Sequence, residues 1–269
     1  MAGYRIFDIE TIPDHSVWTP PPPKYSWAYT QTLEDARYSG LRGPELVVDE
    51  PFPPAQAHRI VAISYVDLSS DDGVWYQFES ANQLCDWSSS KPEEAERELI
   101  VDFVNTQAKD LAILVSWNGR SFDLPVINMR AFRHGVSMGW YYKESDIRYR
   151  YTESGHCDLM DVFSDYGAAR NMKLGDVARC IGLPGKTHEV TGSSVALTVS
   201  QGESEELKDS VSDYCLSDSF QTAFLFIRSR FHKSMIDVSY YNEVIDSFRN
   251  SSSLKRVLPT LDLEKLKLK

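Results

Sequence analysis

The sequence predicts an α/β fold, a mixed β-sheet flanked by helices with a helical C-terminal part. Three observations carry that reading. The chain opens on an apolar run, "YRIFDIE" at 4–10, and two β-rich runs follow at 59–68 and 73–80, joined by the turn-forming "SSDDG". A stretch with helical spacing of apolar residues, 92–107, then leads into a short apolar strand, "LAILVSWNG" at 111–119. Beyond it the apolar residues recur at helical intervals, at about 123–134, 159–167, 172–181, 205–231 and 237–249.

The first strand, 4–9, ends in two acids. Side chains two apart on a strand share a face, so Asp8 and Glu10 project together while Ile9 enters the opposite layer. From 13 to 58 runs a long irregular excursion containing "TPPPPKYSW" and "DEPFPPAQAH". Four consecutive prolines cannot continue a helix or a central strand and favour extended polyproline II. The aromatics of this excursion, Trp18, Tyr25, Trp27 and Tyr29, either stack on nucleic-acid bases or pin the excursion to the domain surface. The next two strands form an antiparallel meander with the first. The helix at 92–107 has a proline near its start and early acids, as helix N-termini favour.

After the apolar strand, Asn118-Gly119 marks a turn, and "FDLPVINMRAF" reads as a helix with Asp123 in its first turn. Pro125 is tolerated there because early helical N–H groups have no intrahelical partner. The late helix carries an apolar stripe of Leu216, Phe220, Ala223, Phe224 and Ile227. Tyr214 and Asp218, four apart, share one of its faces. No repeat and no second-domain boundary is evident, so the expectation is one domain with helical additions.

The 269 residues suffice to bury a substantial core, and 42% apolar with 25% charged residues is ordinary for a globular protein. No apolar run approaches the roughly 20 residues of a membrane span, and no basic region followed by a long apolar stretch opens the chain. Cys85, Cys157, Cys180 and Cys215 are widely spaced, which points to buried free thiols in a reducing, cytoplasmic setting rather than disulfides or zinc ligands. The net charge of -11 argues against a protein that coats nucleic acid through a broad basic surface, but not against an enzyme that grips a few phosphates.

Two adjacent carboxylates repel each other and pay a desolvation cost when buried. A divalent cation removes that repulsion, and hard oxygen ligands suit magnesium or manganese. A D-x-E pair also arises by chance in a chain with 39 acids, and "LDLE" at 261–264 repeats the spacing in a Lys-rich tail. Asp123 has a routine role too, as an acid at a helix N-terminus. What discriminates is the combination of D-x-E on a strand, Asp at a strand-to-helix junction, and Y-x-x-x-D on a late helix.

With "FDIET", "NGRSFDLP" and "YCLSDSFQT" in that order, the chain resembles the tyrosine-bearing branch of the DEDD exonuclease superfamily. The connecting "HCDLMDVFSDYGAARNMKLGDVARCIGLPGK" resembles the predicted 3′–5′ exonucleases related to the proofreading domain of family B DNA polymerases. The resemblance covers about 3 to 231. It implies a ribonuclease-H-like fold, an exonuclease domain over 1–235, and a C-terminal helix and basic tail over 236–269. It also implies two divalent cations, Mg2+ or Mn2+. Asp8 would bridge both ions, Glu10 and Asp218 would complete the one holding the attacking water, and Asp123 would serve the second. Tyr214 would orient the water, a role that suits a phenol mostly protonated at neutral pH.

For substrate contacts the expectations are Thr11 and Asn118, the latter equally readable as turn chemistry, and Lys186 in "GLPGKTHE", equally readable as a solvated loop lysine. Arg120 is expected to be an exposed loop cation, and His188 is not needed as a base where a tyrosine fills that role. The leading expectation is therefore a metal-dependent 3′–5′ exonuclease on single-stranded DNA, working in trans beside replication or repair proteins. The alternatives are the same chemistry on RNA ends, and a catalytically silent nucleic-acid-binding adaptor. A pure binder has no need to bring four acids and a tyrosine together.

Overall fold

A computed structural model describes residues 3–21, 24–28, 45–49, 52–69, 76–185 and 194–269. For 24–28, 45–49 and 145 it describes the backbone alone. The strands are β1 (Tyr4–Pro13), β2 (Lys24–Ala28), β3 (Glu45–Asp49), β4 (His58–Ser69), β5 (Gln77–Cys85), β6 (Ile113–Ser116) and β7 (His156–Asp158). The main sheet has the order β5-β4-β1-β6-β7. β1 runs antiparallel to β4, β4 antiparallel to β5, and β6 and β7 parallel to β1. One antiparallel strand in an otherwise parallel five-stranded sheet of this order is the ribonuclease-H-like arrangement. β2 and β3 pair with each other antiparallel as a separate two-stranded sheet.

Helices cover both faces of the sheet. On one face lie α1 (Pro92–Asp110) and α2 (Asp123–Arg133), which bury Leu99, Phe103, Val126 and Ile127 against Phe7, Ile9 and Ile63. α1 starts as its sequence suggests, with Pro92 in the first turn beside Glu93 and Glu94, and it ends where Leu111 turns left-handed at φ 49°. Short helices α3 (Gly139–Lys143) and α4 (Ser145–Arg148) follow α2, and α5 (Leu159–Phe163) and α6 (Leu174–Cys180) follow β7. α7 (Val195–Ser200) precedes the long α8 (Glu205–His232), whose start is capped by the Ser204 hydroxyl accepting the Leu207 N–H.

α8 covers the second face. The sequence suggests a one-sided apolar stripe, yet from Val211 to Ile227 almost every residue is buried. The cause is a third layer: α9 (Val238–Ser247) and α10 (Ser252–Val257) pack on the outside of α8, so the helix is enclosed on both sides, its polar residues included. Phe220, Phe224 and Phe248 meet there, each contributing about 2–3 kcal/mol of transfer free energy. The residues after α10 join this layer, with Leu266 buried and its carbonyl accepting from Arg228 and Tyr241. Cys180 is exposed, unlike the other cysteines, because it ends the short α6 at the surface. Among the described residues no helix is long and apolar enough to cross a membrane.

Candidate active site

The acid pair of β1 sits at the middle of the sheet. In the β1–β4 ladder Asp8 faces Ser64 and Glu10 faces Ala62, and the register then slips between Glu10 and Thr11. Those small partners let α8 approach closely: Ser64 Oγ donates to Cys215 Sγ at 3.2 Å and lies 2.8 Å from Ser219 Oγ. Cys215 Sγ in turn lies 3.4 Å from the Asp8 carbonyl and 3.6 Å from its Oδ2. Residues flanking Cys215 and Ser219 on α8 are Tyr214 and Asp218. Serine, alanine and cysteine at the seam thus set the spacing at which a helix carboxylate reaches the strand carboxylates.

Asp123 arrives from the other layer. β1 pairs with β6 only over Tyr4–Ile6, so β1 projects past the end of its parallel neighbour. The chain leaves β6 through Trp117-Asn118-Gly119 and enters α2 at Asp123. Asn118 is left-handed, at φ 67°. Gly119 is required by close approach, since a Cβ there would lie 2.4 Å from Ser116 Oγ. The loop is fixed by Asp158, whose two carboxylate oxygens accept the N–H groups of Asn118 and Arg120, both at 2.9 Å.

The electrostatics of Asp8 register the other three acids. Asp8 is held well above the usual carboxylate range, first by desolvation and then by the charges of Asp123, Glu10 and Asp218. Asp123, 3% exposed, is pushed up to about 7 by burial and by Asp158, with its own N–H and that of Ile9 pulling it partway back. Glu10 is 7% and Asp218 8% exposed, and Gln221 Nε2 donates to Asp218 Oδ1 at 3.4 Å. Carboxylate oxygens of Asp8 and Glu10 and the Cys215 sulfur all lie within 4.8 Å of one another. A donor set of hard carboxylate oxygens that destabilise one another's ionised forms fits a divalent cation.

A second acid–histidine group, Glu93, Glu96 and His134, has a different occupant. Glu96 is taken by Arg130 and His134 and also accepts the Ile60 N–H, while Glu93 pairs with Arg133. Arg130 further donates to Asp14 and to the Gln56 carbonyl. This buried network ties α2, α1 and the end of β1 together, and so fixes Asp123 relative to Asp8 and Glu10.

The structure thus places Asp8 and Glu10 within 4.8 Å of each other, and Asp123 and Asp218 close enough for their charges to act on Asp8. Tyr214 is 2% exposed and belongs to the apolar cluster of Ile12, Val61, Ala62 and Val211 beside them. Thr11 lies beyond the register slip, with Oγ1 3.0 Å from His58 Nδ1. Asn118 serves the turn through its backbone. Lys186, His188 and Tyr29 lie outside the described residues, as do the side chains of Tyr25 and Trp27, while Trp18 stacks on His15. Arg120 is not the exposed loop cation its turn context suggests. Its guanidinium donates to the Ile147 and His156 carbonyls and pairs with Asp161 at 3.3 Å, because Asp161, a carbonyl of α4 and one of β7 converge under the loop. The roles of Asp158, Cys215 and His58 escaped the sequence reading. Only Asp158 had a local signal, an Asp directly preceding a helix, and its side chain does accept the Met160 N–H.

Residues 50–258, more than half of the chain, match the family of predicted 3′–5′ exonucleases related to the exonuclease domain of PolB, and the chain belongs to that family. The match begins after β1, so Asp8 and Glu10 lie outside it. No curated protein matches the sequence. Among solved structures, the family B DNA polymerase of the hyperthermophilic archaeon Pyrobaculum calidifontis is similar over 88% of this chain and 34% of that one, at 14% identity and a TM-score of 0.47. E. coli Exonuclease I in complex with a dT13 oligonucleotide is similar over 95% of this chain and 46% of that one, at 11% identity and a TM-score of 0.40. The chain therefore spans less than half of either protein.

Proposed function

We propose that the protein is a metal-dependent 3′–5′ exonuclease that shortens single-stranded DNA and releases nucleoside monophosphates. The observation that carries this is the approach of Glu10, Asp123 and Asp218 to Asp8, from β1, α2 and α8, in a repulsion that cations relieve. Asp8, Glu10, Asp123 and Asp218 would hold the divalent ions, Mg2+ or Mn2+, with Asp8 shared between them, Glu10 and Asp218 serving from the α8 side and Asp123 from the α2 side. When bound, the ions supply the acidity that ionises the attacking water and the charge that offsets the phosphate.

The chain's own groups position the reaction. Tyr214, four residues before Asp218 on the same helix face, holds the water by a hydrogen bond in line with the scissile bond. Water oxygen bonds to phosphorus, the bond to the 3′ oxygen of the preceding nucleotide breaks, and that oxygen takes up a proton as the new 3′ hydroxyl. Thr11, Asn118 and Lys186 contact the terminal nucleotide. A groove of about 570 Å3 bounded by Ile12, Pro13, His15, Arg59, Trp87 and Val199 lies beside this end of β1, with Arg59 as a cation for a phosphate. Three of the carboxylates are nearly buried, so an unpaired end reaches them and a duplex, with its much larger cross-section, does not.

A time course on 5′-labelled DNA and RNA strands with Mn2+, Mg2+ or chelator tests the reading. The expected result is a metal-dependent ladder that shrinks from the 3′ end of single-stranded DNA. Faster shortening of RNA would replace the substrate, and intact strands under every metal condition would overturn the assignment.

A further inference from the structure

Beyond the loop that carries Asn118 and Arg120, three tyrosine rings stand together at the surface. Tyr149 and Tyr151 follow α4 and are 58% and 63% exposed, and Tyr166 lies in the turn after α5. Tyr151 joins the other two, its ring centroid 5.9 Å from that of Tyr149 and 5.3 Å from that of Tyr166. Among the described residues, none of the three packs into the apolar clusters that form the core. Single exposed aromatics are ordinary, but rings that touch one another and not the core form a platform.

The backbone is strained to place one of these rings. Asp165 and Tyr166 both take left-handed conformations, at φ 50° and 54°. Aspartate tolerates that region, whereas a tyrosine there costs about 1–3 kcal/mol. Ser164 holds the turn, its carbonyl accepting the N–H groups of Gly167 and Ala169. The strained turn is what carries Tyr166 to Tyr151.

Cations flank the rings and tie them to the acid-bearing loop. Arg148, directly before Tyr149, lies over the rings of Tyr142 and Tyr141 at 5.3 and 6.0 Å. Arg150, between Tyr149 and Tyr151, pairs with Asp161, which also pairs with Arg120 of the loop leading to Asp123. Glu153 is likewise shared by two cations, Arg230 and Lys233. Each of these two carboxylates is thus outnumbered, in a chain whose net charge is -11.

In an in-line displacement the water attacks opposite the leaving 3′ oxygen, and the rest of the strand hangs from that oxygen. With Glu10 and Asp218 serving the water, the body of the strand departs on the side of Asp123, which is the side of Arg120 and of the tyrosines. We propose that Tyr149, Tyr151 and Tyr166 form a stacking platform for unpaired bases 5′ to the cleaved nucleotide. This rests on the exonuclease reading. Stacking on rings is indifferent to sequence, as an enzyme that moves through every base requires.

The test measures kcat and KM on 5′-labelled oligothymidine strands of about 3 and about 15 nucleotides, the longer one sufficient to cover a stacking site of ordinary size. The proteins compared are the wild type, Tyr149→Ala/Tyr151→Ala and Tyr149→Phe/Tyr151→Phe, with binding in chelator followed by fluorescence anisotropy. All three are expected to cleave the short strand alike. On the long strand the alanine pair should raise KM and Kd by roughly tenfold or more, the worth of at least one stacked base, with kcat unchanged. The phenylalanine pair keeps the rings and loses only the hydroxyls, so it should stay within about twofold of the wild type. Unchanged long-strand KM and Kd in the alanine pair would overturn the platform in favour of a protein contact. An equal rise on both lengths would overturn it too, marking damage to the cleavage site and not the loss of a distant contact. Neither result touches the exonuclease reading, which falls only if the wild type shortens no strand.

Discussion

Asp123→Asn isolates the cost of gathering four carboxylates. Asparagine keeps the shape and an acceptor oxygen but cannot ionise. In the folded wild type Asp123 titrates at about 7 against 3.8 as a free side chain. A raised folded pKa means that stability present below the unfolded value is lost as pH climbs to the folded one. Between pH 5.5 and 7 the folded state holds a proton that the unfolded state has released, and each pH unit removes about 1.4 kcal/mol. The metal-free wild type should therefore lose about 2 kcal/mol from this group between pH 5.5 and 8. Asp8 titrates in the same direction and adds to the loss. Asp123→Asn should lack its share, so its stability advantage over the wild type should widen by that amount, roughly 5 °C in melting temperature for a chain of this size. The assay is thermal unfolding of both proteins in chelator at the two pH values, then at pH 8 with added Mn2+. Mn2+ should raise the wild-type melting temperature well above that of Asp123→Asn. A pH-independent difference, or equal stabilisation by Mn2+, would refute the shared-cluster argument.

Asp8→Ala should abolish cleavage of 3′ ends with circular dichroism unchanged, because it removes the acid that meets all the others; full activity would exclude Asp8 from the site. Tyr214→Phe should lower kcat by roughly tenfold to a hundredfold while Mn2+ binding by calorimetry stays as in the wild type, since only the water-orienting hydroxyl is lost. Arg130→Ala leaves Glu96 and Asp14 buried without their partner, and urea unfolding should show a loss of about 3–5 kcal/mol. A loss under 1 kcal/mol would mean that this network does not secure α2.

Much of the fold was legible because the decisive elements have clean periods. The alternation of "FDIE" put Asp8 and Glu10 on one face, and the four-residue step from Tyr214 to Asp218 put both on one side of α8, as the structure shows. β1 runs on to Pro13 rather than ending at 9, because the register slip after Glu10 lets it keep pairing with β4. β6 is shorter than its apolar run, since Trp117-Asn118-Gly119 are taken by the turn. β7 is three residues long and carries no period at all, and α3 and α4 are too short to show one. The site's supporting contacts were beyond the sequence for another reason: Ser64 with Cys215, Asp158 with the Asn118 loop, and Glu96 with Arg130 join positions 34 to 151 residues apart. Arg120 was misread because a cation in a turn usually points outward, and only the fold brings Asp161 beneath it.

The acids come from three different strata: the sheet itself through β1, the layer on one side through α2, and the layer on the other through α8. Their separations therefore gauge how far apart those strata sit. Trimming a large side chain between sheet and helix, such as Phe103 of α1 against Phe7 or Phe226 of α8 against Tyr4, would let a stratum settle by a fraction of an ångström. Metal affinity would register that shift like a caliper, at a residue no ligand ever meets.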